Sequence, residues 1–180
     1  MHRIFIGLAL WIILLFVAQF GLGLAVGVAV KPGVPVSPET QTLFTLHMLG
    51  GIFLATMVCV VHIMVMFHFI GSGKEIKEAV ETLGGDAAVI KKLRDFKMRT
   101  SGLATMAPVI TGAATIIGGG AHTGMIPSWV HWGLGLLAFA VNLWAFPAEY
   151  RALKANLDVI HDVDERLRQQ ALPSLPGREA

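Results

Sequence analysis

Charge is scarce in this sequence. Only 14% of its 180 residues are Asp, Glu, Lys or Arg, and 54% are hydrophobic. Soluble domains carry roughly 25% charged residues. The mean hydropathy of +0.67 agrees with a chain built for lipid. Cysteine is nearly absent too: Cys59 stands alone, which excludes an intramolecular disulfide. A net charge of +2 leaves no basic footprint for nucleic acid. The chain has no G-x-S-x-G, no Walker loop and no H-E-x-x-H, so nothing points to hydrolysis or group transfer. No carboxylate falls inside an expected membrane span, which argues against a proton-coupled transporter built on acidic residues.

The gaps between charges organise the chain. None occurs between Arg3 and Lys31, between Glu39 and Lys74, or between Arg99 and Glu149. A membrane span needs about 20 apolar residues. The first two gaps hold one span each, near 4–30 and 43–70. The third holds two, near 98–117 and 128–146, broken by the turn-forming stretch GGGAHTGMIPS. The first run is too long for a signal-peptide core and is read as a retained helix.

Four spans place both termini on one side. Every Lys and Arg except Lys31 falls on that side, which the positive-inside rule makes cytoplasmic. The expected fold is an all-α integral membrane protein, a four-transmembrane-helix bundle with cytoplasmic amphipathic helices. Residues 1–148 form the membrane domain, with a cytoplasmic helical loop at 72–97. A bacterial inner membrane is the expected location. Ser37 caps helix two ahead of Pro38, and Ser128 is placed to cap helix four. In the inner loop, residues 74–83 read as helical, Gly84-Gly85 ends that turn, and Asp86 is placed to cap the next helix, which runs into helix three. Trp129 and Trp132 suit an outer aromatic belt, Trp144 and Tyr150 an inner one.

Beyond Pro147, residues 149–171 read as an amphipathic helix with a flexible tail at 172–180. Leu153, Leu157, Ile160, Val163 and Leu167 give one apolar stripe. That stripe packs either on the other inner helices or on a partner subunit.

The polar residues that remain in the spans are mostly histidines. His47 and His131 sit near the outer ends of helices two and four, at similar depth. Two imidazoles facing across a bundle can supply both axial ligands of a haem iron. A porphyrin needs small neighbours. Helix one carries Gly21, Gly23 and Gly27 toward its outer end, and helix three carries Gly112 and Gly118–Gly120. Gly51 follows His47 by one turn, and Gly135 follows His131. HMLGG and HWGLG read as an internal repeat of a two-helix unit.

This arrangement resembles the four-helix b-type cytochromes, whose helices two and four carry axial histidines and whose helices one and three carry glycines beside the haem. The resemblance covers the four spans and rests on the paired histidines and the glycines. It implies a haem b ligated by His47 and His131, with Gly23, Gly27 and Gly112 close to the ring. Gln19 faces the same space, and Lys31 stands near the propionates. The chain departs from two-haem members at the inner level, where His62 follows His47 by 15 residues but helix four offers Phe146.

His62 and Asn142 form a second expected polar site, either an interhelical hydrogen bond or a proton or quinone site. His68 and His161 read as hydrated, and His122 as a surface residue or third ligand. His62-x-Met64-x-Met66-x-His68 suggests copper(I) handling, but Met64 and Met66 lie about 200° apart on a helix. The expected function is therefore an electron-transfer subunit working with membrane or peripheral redox partners, or with quinone. The alternatives are a cofactor-free accessory subunit of a larger complex and, third, copper handling. Homo-oligomerisation is left open.

Overall fold

The structure is a computed structural model that describes residues 2–30 and 35–171. It is all-helical, with four long helices. These are α1 (His2–Ala29), α2 (Pro38–Thr82), α3 (Ala87–His122) and α4 (Ser128–Ala171). Each is long and apolar enough to cross a membrane. The expected tail at 172–180 and Lys31 lie outside the described residues.

Local chemistry sets the helix ends. Ser37 Oγ accepts from the Thr40 amide at 3.3 Å, and Pro38, which has no N–H to lose, opens α2. α2 ends where Gly84 and Gly85 take φ of +94° and +81°, a region closed to most side chains. Asp86 Oδ1 then caps α3, accepting from Ala88 N at 2.9 Å. Ser128 does not repeat the Ser37 pattern. It is the first residue of α4, and the chain enters through a Val130 N–H bond to the Pro127 carbonyl.

Pro147 does not end α4. The helix runs through it, and Arg151 Nε donates to the Pro147 carbonyl at 3.1 Å. At 45 and 44 residues, α2 and α4 are about 65 Å long, roughly twice a bilayer's hydrocarbon thickness. They project past the start of α1 at the end that holds the 83–86 turn. This is the terminal end; the end with the 30–37 and 123–127 connections is the distal end.

The helices neighbour one another in chain order around the bundle, and α4 closes on α1. Among the described residues α2 and α4 also meet across the centre, whereas α1 and α3 do not touch. Three contacts fix the α2–α4 register: His47 with His131, His62 with Phe146, and Ser72 with Asn156. Each pair is separated by 84 positions. Two parallel helices therefore hold one register over seven turns, and the HMLGG/HWGLG repeat is the sequence trace of it.

A main apolar core runs through all four helices, around Phe5, Ile12, Phe16, Val58, Val61 and Phe146. A second core fills the terminal extension, where Ile76 and Val80 of α2, Val89 of α3, and Val159 and Val163 of α4 are buried. Of the α4 stripe, Val163, Ile160 and Leu167 pack in this core and Leu153 in the main one, while Leu157 is half-buried. Arg166 bridges Asp86 at 3.2 Å and Asp162 at 2.8 Å over this core.

Amide donors at the α3 N-terminus, Ala88 first, hold the Asp86 carboxyl below its usual range, and Arg166 adds to this. A lowered carboxyl contributes stability that is complete above its ordinary pKa and is lost as pH falls through the folded value. The extension should therefore loosen in acid, starting below about pH 4. Asp86→Asn should flatten that limb of a thermal-stability profile. A profile unchanged by the substitution would remove Asp86 from the acid response.

Candidate functional site

Two polar layers cross the bundle. The distal one holds the expected histidine pair. His47 and His131 approach with ring centres 6.0 Å apart and planes at 76°. His131 Nδ1 lies 3.1 Å from the Ala114 carbonyl of α3. A carbonyl can only accept, so Nδ1 carries the proton and Nε2 keeps the lone pair. His47 Nδ1 is buried without a hydrogen-bond partner, and the Gln19 backbone lies beside its ring.

Each imidazole rests on a glycine. A Cβ on Gly23 would stand 3.1 Å from His47 Cε1, and one on Gly118 would stand 2.8 Å from His131 Cε1. Gly23 follows Gln19 by four residues, and Gly118 follows Ala114 by four. The backbone beside each histidine is thus one helical turn before the glycine that makes room for the ring. α1 serves α2 as α3 serves α4.

The other expected residues divide. Gln19 packs on α2, where a Cβ at Gly50 would collide with its Nε2, and its Oε1 is buried without a partner. Gly27 is exposed, and neither Gly27 nor Gly112 has a neighbour within 4 Å of a built Cβ. Gly118, not singled out for a histidine in the sequence, is the α3 glycine that lies against His131. Gly135, one turn below His131, is covered by Phe20, which also stacks on Trp132 at 6.0 Å. His122 stacks on Phe44 at 3.5 Å, His68 is half-buried and His161 exposed.

The second layer lies about 22 Å nearer the terminal end, 15 residues along α2. His62 Nε2 meets Asn142 Oδ1 at 3.1 Å, and His62 Nδ1 meets Glu149 Oε1 at 2.6 Å. All three side chains are fully buried. The sequence reading paired His62 with Asn142 but placed Glu149 beyond the end of helix four. α4 is continuous through Pro147, and the Glu149 carboxylate turns back into the bundle and pairs with His62. Asn142 and Glu149 are seven residues apart, which is the signal that could have found it.

The proton positions follow from the donors. Thr111 Oγ1 donates to the Ala107 carbonyl at 2.7 Å. Asn142 Nδ2 donates to Thr111 Oγ1 at 3.1 Å and to the Ala138 carbonyl at 2.8 Å. The amide is therefore fixed with Oδ1 toward His62, and Nε2 must carry a proton. One further proton lies between Nδ1 and Glu149. Whichever atom holds it, the pair is neutral, which is how the bundle tolerates it.

Both His62 nitrogens are thereby engaged, and its ring lies parallel to Phe146 at 5.4 Å and 7°. His62 therefore has no free lone pair to offer a metal. Among the described residues no cluster of three or more His, Cys, Asp or Glu side chains is placed to hold an ion. No protein-family model, curated protein or solved structure matches the chain.

Proposed function

We propose that this chain is a multi-pass membrane subunit resembling the b-type cytochromes, with one haem b held between His47 and His131, and that it passes single electrons. The observation that carries this reading is the separation of the two rings. Two metal–nitrogen bonds of about 2 Å on a shared axis put the imidazole centres about 6 Å apart. The facing rings stand at 6.0 Å.

The residues present fit such a group. His131 is held in the tautomer that leaves Nε2 free. The glycines at 23 and 118 remove the side chains that would displace the imidazoles. The buried Oε1 of Gln19 is a polar atom without a protein partner. α1 and α3, which do not touch, flank the axis on which the histidines meet. A bound haem would supply a one-electron couple, and His47 and His131 would be the residues that hold it. This chain's part is to hold the ring, keep water from it and fix the ligand tautomer. Lys31 belongs to the proposal as the outer-face cation near the propionates. An outer-face electron carrier, another redox subunit or quinone would complete the transfer.

The membrane placement rests on the exposed apolar surface. Leu14, Val28 and Ile116 are 61%, 77% and 77% exposed. So large an apolar surface needs lipid or a partner. Lys and Arg gather at the terminal end, which we place in the cytoplasm of a bacterial inner membrane with both chain termini.

A visible spectrum of the protein, expressed with ample haem, tests the cofactor. A Soret band with sharp reduced bands is expected; a colourless protein would leave the accessory-subunit reading in its place. Single-cysteine labelling tests the orientation. Ser72 is a poor reporter because it is buried and donates to the His68 carbonyl. Glu75 and Thr123 are exposed. In intact cells lacking Cys59, an impermeant maleimide should react with Thr123→Cys and not Glu75→Cys. The reverse pattern would invert the topology.

A further inference from the structure

The terminal end carries two kinds of cation. In the extension, Lys74, Lys77, Arg166 and Arg168 each pair with a carboxylate. Nearer the distal end, Arg99 of α3 and Arg151 and Lys154 of α4 are exposed, and no ion pair among the described residues includes them. Asp95 and Asp158 stand one turn from Arg99 and Lys154, both on the terminal side. The three cations share one depth. Arg99 precedes the distal end of α3 at His122 by 23 residues, and Arg151 follows the distal start of α4 at Ser128 by 23. Both are about 35 Å from the distal end, which is a hydrocarbon core of about 30 Å plus the edge of the headgroup layer. The bonds between the helices agree. Twelve residues from the Thr111–Asn142 pair, α3 has reached Arg99 and α4 has reached Lys154, one turn from Arg151.

Arg99 and Arg151 also border one groove. α4 meets α1 through Phe139, and it meets the Asp86 cap of α3 through Arg166. Arg151 lies about 60° round α4 from Arg166 and about 120° from Phe139, so it is on the α3 flank. Arg99 lies about 60° round α3 from Ala114, whose carbonyl faces His131 of α4. It lies about 140° from His122, which stacks on Phe44 of α2. On α4, Trp144 and Leu137 precede Arg151 by seven and fourteen residues and are 67% and 48% exposed. Toward the terminal end an aliphatic, an aromatic and a cation thus follow one another, as chain, interfacial region and phosphate do in a phospholipid. The Arg151 Nε bond to the Pro147 carbonyl holds the guanidinium and leaves both Nη groups to donate.

We propose that the outer groove between α3 and α4 binds an anionic phospholipid of the inner leaflet, with its phosphate between Arg99 and Arg151 and a chain along Trp144 and Leu137. This site rests on the membrane placement proposed for the chain and is independent of the haem. Three cations without a carboxylate partner favour a headgroup of net negative charge. The ammonium of a zwitterionic lipid meets the same cations and is repelled. Trp144 and Leu137 favour a lipid over free phosphate, which has no chain to cover them.

Native mass spectrometry of the full chain in detergent micelles, titrated with palmitoyl-oleoyl phosphatidylglycerol, tests this. One tightly held phosphatidylglycerol is expected, bound at least about tenfold more tightly than phosphatidylcholine with the same chains. Millimolar inorganic phosphate should not displace it. Arg99→Ala and Arg151→Ala should each weaken it about fivefold, the equivalent of about 1 kcal/mol per basic residue at an anionic surface. Arg168→Ala removes the same charge from the extension and should leave binding unchanged, and circular dichroism checks that each variant keeps its helices. Equal affinity for the two lipids, displacement by phosphate, or wild-type binding by the double variant Arg99→Ala with Arg151→Ala would each overturn the site. Carbonate extraction of cell membranes reads the placement separately. A chain released by alkali would overturn the placement and the site together. A chain that stays in the membrane but binds both lipids alike would overturn the site alone.

Discussion

Replacing His131 with alanine is expected to lower haem content by at least about tenfold and to abolish the low-spin spectrum of whatever remains. Loss of a residue that merely supports a ligand costs about 10–100-fold in metal affinity, and His131 is proposed as the ligand itself. His47→Ala should do the same. Imidazole added to either variant should restore part of the low-spin signal, because the missing nitrogen is then supplied from solution. Gly118→Leu should act indirectly. Even a Cβ there would stand 2.8 Å from His131 Cε1, so the ring must move. Gly112→Leu meets no neighbour at its Cβ and should be the milder change. Haem-to-protein ratio and the reduced spectrum are the readouts. If His62→Ala removes the haem and His131→Ala does not, the pairing is wrong.

Replacing His62 with leucine while Glu149 remains is expected to destabilise the bundle by about 3–5 kcal/mol, because a buried carboxylate is left without its partner. The carboxyl can reduce that cost only by remaining protonated. The double variant His62→Leu with Glu149→Leu should recover most of the loss, since two apolar side chains of similar volume replace a pair that had to be desolvated. Asn142→Leu should cost less, near the 1–2 kcal/mol of an interhelical hydrogen bond in a membrane. Unfolding by SDS in mixed micelles, followed by circular dichroism, measures all three. A loss under about 1 kcal/mol for His62→Leu would mean that the pair behaves as an exposed one. The haem spectrum of His62→Leu should stay close to wild type, because the two layers lie about 22 Å apart along α2.

By itself the sequence determined the elements whose causes are local. Charge-free runs specify four long helices, Ser37 and Asp86 specify two starts, and the paired glycines at 84 and 85 specify a stop. Each depends on a few adjacent residues. The equal depth of His47 and His131 was legible too, because rise per residue converts chain position into height. So was Phe146 opposite His62.

Tertiary structure decided which faces meet. Gly118 receives the His131 imidazole because rotation of α3 about its axis is set by packing. Ile160, Val163 and Leu167 of the α4 stripe pack with Ile76, Val80 and Val89, since α2 and α3 extend alongside that part of α4. Glu149 falls outside the expected span because it is the first charge after the gap that opens at Arg99. A charge gap in sequence cannot show that the first charge after it turns back toward a histidine 87 positions away. That contact exists because α2 and α4 hold one register from the distal histidines to Ser72 and Asn156.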